Sequence, residues 1–447
     1  MSFESTVPRL RIAHVFQSNG TDFAEPTAPV VHVYHTLRSL AQRGHQVVLI
    51  APRGLRLLCT QSLKIFEQEP GNAEFLDPGL SGTRTFQFFE RGIRRIQKTV
   101  RFPYLALFDS FRVFEGCREG GPFDLIHERY NLMGLGGVLA AARLRIPYVL
   151  EVHADPLAQR KFRGEPDAAV RRLLAKATFR LNLRLASRIV PVSEALKEHL
   201  IRTWKVNPDK VDFIPCAADP ESFAIKTASS AFRKESGVDS ACVLVWVGGF
   251  YPWHDLELIL QSFAVVQQES PGVKLVLVGD GDDRAKIQAR IRELDLTDDV
   301  ILTGRVPHAR IPEILSAADV ALAADLALDP SAGGTGTPLK IFEYMMAGKA
   351  IVATDSRQVR DVIQDRETGV LVPPGDATAF ARATLTLVKN ETERKRLAEN
   401  ARNKAIRELS WDRFASRLEQ TYEKCLGTGQ SGQKGFTTRR AKAASIP

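Results

Sequence analysis

The sequence predicts an α/β protein of two Rossmann-like, doubly wound domains that face each other across a cleft. Short apolar runs of strand length alternate with helical stretches, the pattern of a parallel sheet covered on both faces by its crossover helices. The alternation breaks between Pro220 and Phe232 and then begins again, so the pattern occurs twice. The length agrees, since 447 residues exceed the roughly 250 to 300 that one hydrophobic core organises.

Arg9 to Phe16 reads as a buried strand and Val30 to Arg43 as the helix after it, closed by Gly44 as a left-handed cap. His45 to Ala51 is the next strand. Phe123 to His127 and Pro147 to His153 follow as strands on either side of a helix from Gly134 to Leu144. A helix from Ala168 to Ala186, a strand from Arg188 to Val192, a helix from Glu194 to Thr203 and a strand from Lys210 to Ile214 complete the first half. In the second half, strands are expected at Cys242 to Val247, Val273 to Val278, Val300 to Leu302, Val320 to Ala323, Ala350 to Thr354 and Gly369 to Val372, with helices between them. The expected division is residues 1–225 and 226–408 for the two domains, 409–426 for a final helix packing back on the first, and 427–447 for a basic tail that reads as disordered.

Values of 44% hydrophobic and 25% charged residues exclude a mainly disordered, collagen-like or membrane-spanning chain. Glu4, Pro8 and Arg9 precede any apolar run, so no secretory signal is expected and the chain reads as cytoplasmic. Cys59, Cys117, Cys216, Cys242 and Cys425 have no paired spacing suited to zinc or redox chemistry and read as free buried thiols. His32 and His35 stand one helical turn apart, a spacing able to grip a metal, but with no third ligand evident nearby they read as packing residues. The net charge of +9 is modest, and no nucleic-acid partner is expected. Much of it gathers in Arg91, Arg94, Arg95, Lys98 and Arg101, in one segment with Phe102, Tyr104, Leu105, Leu107, Phe108 and Phe111. As a helix, this segment either rests its apolar side on the core or lays it on an anionic membrane surface with cations around it.

In open parallel sheets ligands bind at the carboxyl ends of the strands, which makes strand-end residues the functional candidates. The most informative segment is GGTGTPLKIFEYMMAGKAIVAT, from Gly333 to Thr354. Thr337 reads as N-cap and Pro338 as first helical residue, after Gly333, Gly334 and Gly336 that permit close backbone approach. The free amides of Leu339 and Lys340 at that terminus attract a diphosphate, to which Lys340 adds a full charge. Glu343, one turn further, is placed to accept hydrogen bonds from a pair of ribose hydroxyls.

The stretch from Gly336 to Asp355 resembles the donor-binding motif of glycosyltransferase family 4, retaining enzymes that use nucleotide sugars and have the two-domain GT-B architecture. Further matches run in order along the chain: RGHQVVLIAP (43–52), FDLIHERYNLMGLGG (123–137), PYVLEVHADPL (147–157), VPVSEALKEHL (190–200), VDFIPCAADPESF (211–223), VLVGDGDDR (276–284), LTGRVPHARIPEILSAADVAL (302–322) and TGVLVPPGD (368–376). The resemblance implies that Glu343 holds the nucleotide ribose and that His153 lies near the donor sugar. It also implies that Gly304, Arg305 and Val306 form the base-binding loop. It further implies retention at the anomeric carbon without a metal, the departing diphosphate being met by fixed cations and helix-end amides.

Three departures stand out. Thr335 replaces the first glutamate of the family's Glu-x7-Glu motif, and Glu25-Pro26-Thr27-Ala28-Pro29 stands where a glycine pair is usual. Gly249 and His254 occupy the positions of an Arg and a Lys that face the diphosphate. Lys340 and His254 are the available replacements.

The resulting reading is a retaining hexosyltransferase that moves a sugar from a nucleotide diphosphate sugar to a saccharide or lipid-linked saccharide in surface polysaccharide or glycoconjugate biosynthesis. It needs no cofactor or metal and works in the cytoplasm, peripherally at the inner face of the plasma membrane. The catalytic candidates are His153, His254, Lys340 and Glu343. Gly248, Gly249, Gly304, Arg305, Val306, Thr335, Gly336, Thr337 and Leu339 join Lys340 and Glu343 as donor-binding candidates. Asn19, Gly20, Glu128 and Arg129 are the acceptor-binding ones. The alternative is a catalytically impaired nucleotide-binding protein of the same fold. A nicotinamide-dependent oxidoreductase would need a Gly-x-Gly-x-x-Gly fingerprint after the first strand, and none is present.

Overall fold

The computed structural model describes residues 8–25, 27–99, 106–158, 169–224, 229–326 and 338–427. The first domain is a seven-stranded sheet in the order β4-β3-β2-β1-β5-β6-β7. Its parallel strands are β1 (Arg11–Val15), β2 (Gln46–Arg53), β5 (Leu125–Arg129), β6 (Tyr148–Val152) and β7 (Arg188–Pro191). Two antiparallel strands not anticipated above, β3 (Arg56–Thr60) and β4 (Phe75–Leu76), extend one edge. A two-residue loop joins β2 to β3, and Gly54 at φ +63° supplies the positive backbone angle that such a hairpin requires.

Helices α1 (Ala28–Gln42), α2 (Arg84–Thr99), α3 (Leu107–Glu119), α4 (Gly136–Leu144), α5 (Ala169–Leu185) and α6 (Glu194–Trp204) flank this sheet. Gly44, at φ +93°, ends α1 by donating its N–H to the Ala41 carbonyl. The expected strand from Lys210 to Ile214 reduces to a single bridge between Val211 and Ile189. Asp212 and Ile214 still donate to the carbonyls of Ile189 and Pro191, but Pro215 has no N–H to continue the ladder.

The second domain is a wholly parallel six-stranded sheet in the order β10-β9-β8-β11-β12-β13. After α7 (Ser229–Glu235), its strands and helices alternate: β8 (Cys242–Val247), α8 (Leu256–Glu269), β9 (Val273–Val278), α9 (Arg284–Glu293), β10 (Val300–Gly304), α10 (Ile311–Ala317) and β11 (Val320–Ala323). Then come α11 (Leu339–Met346), β12 (Ala350–Thr354), α12 (Arg357–Arg360), β13 (Val370–Val372), α13 (Ala377–Lys389) and α14 (Glu391–Glu408). The last helix, α15 (Trp411–Gly427), lies against α1 of the first domain. Arg43 and His45 both bond Glu419 across that contact, and Trp411 stacks on His35 at 5.0 Å. The basic tail falls almost wholly outside the described residues, as do Arg101, Phe102, Tyr104 and Leu105.

Both sheets have a point where the strand order reverses, and a crevice opens there beyond the strand ends. In the second domain it lies between β8 and β11; in the first, between β1 and β5. These two places position the site.

Candidate active site

At the second-domain reversal, β8 runs into Gly248 and Gly249, and β11 into Ala324 and Asp325. The two strand ends are tied together. His254 forms an antiparallel bridge with Asp325, and its Nδ1 lies 2.7 Å from Asp325 Oδ1. Burial lowers the pKa of His254, and the nearby Lys340 charge lowers it further, against the opposing effect of Asp325. His254 is therefore a neutral hydrogen-bonding group near pH 7 in the absence of an anion.

Lys340 rises from the first turn of α11 into this crevice. It is buried, its Nζ sits 4.0 Å from the centroid of the Trp246 ring, and it has no hydrogen-bond partner among the described residues. A Cβ on Gly248 would meet that Nζ at 2.9 Å, so the glycine leaves room for the ammonium group. Burial pulls the pKa of Lys340 down to about 8, with Asp325 and Glu343 opposing the shift. An ammonium ion without a hydrogen-bonding partner is costly unless something anionic arrives.

Helix α11 begins one residue later than expected. Pro338 is the N-cap, with φ −59° and ψ 128°, and Leu339 is the first helical residue. Pro338 presents no capping side chain, so the first-turn amides are not closed off from its side. Thr335, Gly336 and Thr337 lie outside the described residues. At the other end Gly348, at φ +62°, closes the helix onto the Met345 carbonyl.

Glu343 accepts from His308, whose Nε2 lies 2.8 Å away. Burial alone would lower the pKa of His308, but the Glu343 carboxylate outweighs it and raises it. Sequence reasoning missed His308, although the loop after β10 that carries it was singled out. Glu343, His308 and Leu339 line a cavity of about 310 Å³ with His35 and Arg38 of α1 and Asp219. Gly304 ends β10 at φ +69°, and Val306 packs against the core beyond it. The exposed guanidinium of Arg305 pairs with Glu25 of the first domain.

His153 follows β6 and is partly open, at 21% side-chain exposure. Its Nε2 lies 2.5 Å from Oε1 of the fully buried Glu151. Burial, with Arg129 and His32 adding to it, lowers its pKa to about 3, so the imidazole is neutral.

The first-domain reversal holds a second cavity, of about 520 Å³, lined by Gln17, Asn19, Gly20, Arg94, Asp109 and Asn131 among others. Asn19 is held by Asp109 and by both backbone groups of Gly54. Glu128 does not reach either cavity. It is fully buried, accepts from the Tyr148 hydroxyl at 2.8 Å, and burial lifts its pKa to about 7. Neighbouring residues of a strand point to opposite faces, so Arg129 turns away from Glu128 and lies over Phe16 at 5.5 Å. No salt bridge forms between Glu128 and Arg129, and Glu128 is a core residue, not an acceptor contact. Asp280 is bonded to Arg284 and to the Gly281 amide.

Two family models match the chain, one described as Glycosyltransferase Family 4 over residues 29–222 and one as Glycosyl transferases group 1 over residues 229–404. The MMP alpha-(1->4)-mannosyltransferase of Mycolicibacterium hassiacum is 26% identical over 418 residues, which cover 89% of this chain and 94% of that protein. The phosphatidyl-myo-inositol mannosyltransferase of Mycobacterium tuberculosis is 31% identical over 243 residues, covering 52% of this chain and 60% of that protein. Among solved structures, Anabaena HepE in complex with UDP-glucose has a TM-score of 0.66 at 17% identity, over 93% of this chain and 100% of that one. That likeness is one of fold.

Proposed function

Because the chain belongs to glycosyltransferase family 4, we propose that its two strand-order reversals divide the reaction, the second domain holding a nucleotide diphosphate sugar and the first its saccharide acceptor. The protein is a retaining glycosyltransferase of glycoconjugate biosynthesis. The observation that carries the site assignment is Lys340: a buried ammonium group with no hydrogen-bond partner among the described residues, at the reversal point, beside the amides of a helix N-terminus.

In this reading the diphosphate lies against Lys340 and the first-turn amides of α11. Its charge holds Lys340 protonated and stabilises the leaving group as the glycosidic bond breaks. Glu343, oriented by His308, accepts from the ribose hydroxyls. The diphosphate favours the protonated ring of His254, which then donates from Nε2 while Asp325 accepts from Nδ1 and fixes the ring. His153, neutral and oriented by Glu151, contacts the donor sugar. These groups supply the charge stabilisation without a metal. The acceptor enters from the cavity at Asn19 and Asn131.

Helix α2 is inverted: its buried side carries Glu90, paired with Arg112 and Arg94, while Phe88, Phe89, Ile93 and Ile96 are 72%, 62%, 42% and 62% exposed. Arg91, Arg95 and Lys98 lie on the exposed part of the same helix. That face suits an anionic bilayer, at the cytoplasmic side of the plasma membrane. Arg94, on α2, lines the acceptor cavity, which fits a lipid-linked acceptor. No helix among the described residues is long and apolar enough to cross a membrane. The test is transfer from a panel of nucleotide diphosphate sugars to lipid-linked and free saccharides, with the anomeric configuration of the product read by NMR. An inverted product, or transfer that EDTA abolishes, would contradict the proposal.

A further inference from the structure

Around His153 the first domain gathers further donor atoms, of which transfer uses only His153 and its partner Glu151. The ligand atoms of His32 on α1, His153 after β6 and Cys216 before the second domain all lie within 4.8 Å of one another. Glu151 Oε1 is 2.5 Å from Nε2 of both His32 and His153. His32 and Cys216 are buried, and His153 is the partly exposed member. His32 Nε2 makes its contact without hydrogen-bond geometry, and neither ring nitrogen of His32 has a hydrogen-bond partner among the described residues. Buried polar atoms without partners call for an explanation, and a common ion is one.

We propose that His32, His153 and Cys216 form a three-ligand site for Zn²⁺ beneath the end of β6, with water completing the tetrahedron. Two imidazoles and a thiolate suit Zn²⁺ and do not suit Mg²⁺ or Ca²⁺, which prefer oxygen alone. Burial raises the Cys216 thiol, so Zn²⁺ binding releases its proton to solvent. His35, whose spacing from His32 suggested a metal pair, takes no part and stacks on Trp411.

Such an ion ties up His153. It therefore inhibits sugar transfer, a consequence that rests on the role proposed for His153, whereas metal binding itself does not.

The test loads the full chain, free of donor, with Co²⁺ and with Zn²⁺. Expected are one equivalent bound, a tetrahedral Co²⁺ spectrum with a thiolate charge-transfer band, and loss of that band in both Cys216→Ser and Cys216→Ala. Circular dichroism checks that the variants are folded, and two substitutions guard against one that is not. No retained metal in the wild type, or a band that survives both substitutions, overturns the site. In the transfer assay Zn²⁺ is expected to inhibit the wild type, with recovery on adding EDTA, and to leave the rate of Cys216→Ser unchanged. Binding without inhibition overturns only the link to His153.

Discussion

Lys340 Nζ sits 4.0 Å from the centre of the Trp246 ring with no hydrogen-bond partner among the described residues. The indole face is a weak counterpart for an ammonium group, worth roughly 0.5 to 2 kcal/mol. It holds the charge in place without quenching it, so the full electrostatic interaction remains available to an incoming diphosphate.

Replacing Lys340 by Ala is expected to lower kcat by about 10² to 10³-fold, the range for losing one preorganised donor to a developing negative charge. Steady-state kinetics with saturating donor measures it.

The pH dependence follows from the same residue. The pKa of Lys340 is pulled down to about 8 by burial, so the free enzyme is in its active, charged form below pH 8 and loses it above. We expect kcat/KM for the donor to fall with pH above about 8. In Lys340→Arg, whose guanidinium stays charged, that limb should disappear even if the rate is lower.

Glu343→Ala is expected to weaken binding of both nucleoside diphosphate and donor by about tenfold, the scale of a hydrogen bond to a charged group. His308→Asn should produce a smaller loss, because it acts through Glu343. Isothermal titration separates the two.

Folding stability should decline as pH falls from about 6.5 to 5. Burial first, and then neighbouring charges, hold His14, His35 and His153 below their ordinary pKa, at about 4 for His35 and about 3 for His153. In that window the unfolded chain binds protons that the folded chain refuses, so acid favours unfolding. His254, also lowered by burial, adds to the effect, while Glu128, raised to about 7 by burial, and His308, raised against burial by the Glu343 carboxylate, work in the opposite direction, so two groups oppose four imidazoles. Thermal melts at constant ionic strength across this range check the sign.

Vesicles with anionic lipid should bind the protein in a salt-sensitive way, and Phe88→Ser with Phe89→Ser should abolish flotation. Equal binding to neutral vesicles would remove the membrane from the account.

Much of the second domain was legible in the sequence because each of its strands is a short apolar run between helices; Cys242–Val247, Val273–Val278, Val320–Ala323 and Ala350–Thr354 begin and end where the sequence pattern does. The antiparallel edge was not, since Arg56–Thr60 follows β2 after only two residues with no helix to set it apart, and Phe75–Leu76 is two residues long. The basic and apolar segment from Arg91 to Phe111 reads as one unit in the sequence but divides between α2, which ends at Thr99, and α3, which begins at Leu107, and the exposed apolar residues Phe88 and Phe89 lie before it. In the site, Lys340 and Glu343 were visible through their spacing on one helix. Glu128 was misjudged because a strand-end position does not say which face a side chain takes, and here it takes the face of Tyr148. The partner of Glu343, His308, and the meeting of His32, His153 and Cys216 arise only from folding, which brings distant segments together.

The most direct test of the central claim is calorimetric titration of nucleoside diphosphates and their sugars into the wild type, Lys340→Ala and Glu343→Ala. The account predicts saturable binding of one nucleotide series by the wild type, weakened in both variants, with the diphosphate contributing more than the nucleoside. Binding that is unaffected by both substitutions, or no binding of any nucleotide, would contradict a donor site at the β8–β11 reversal.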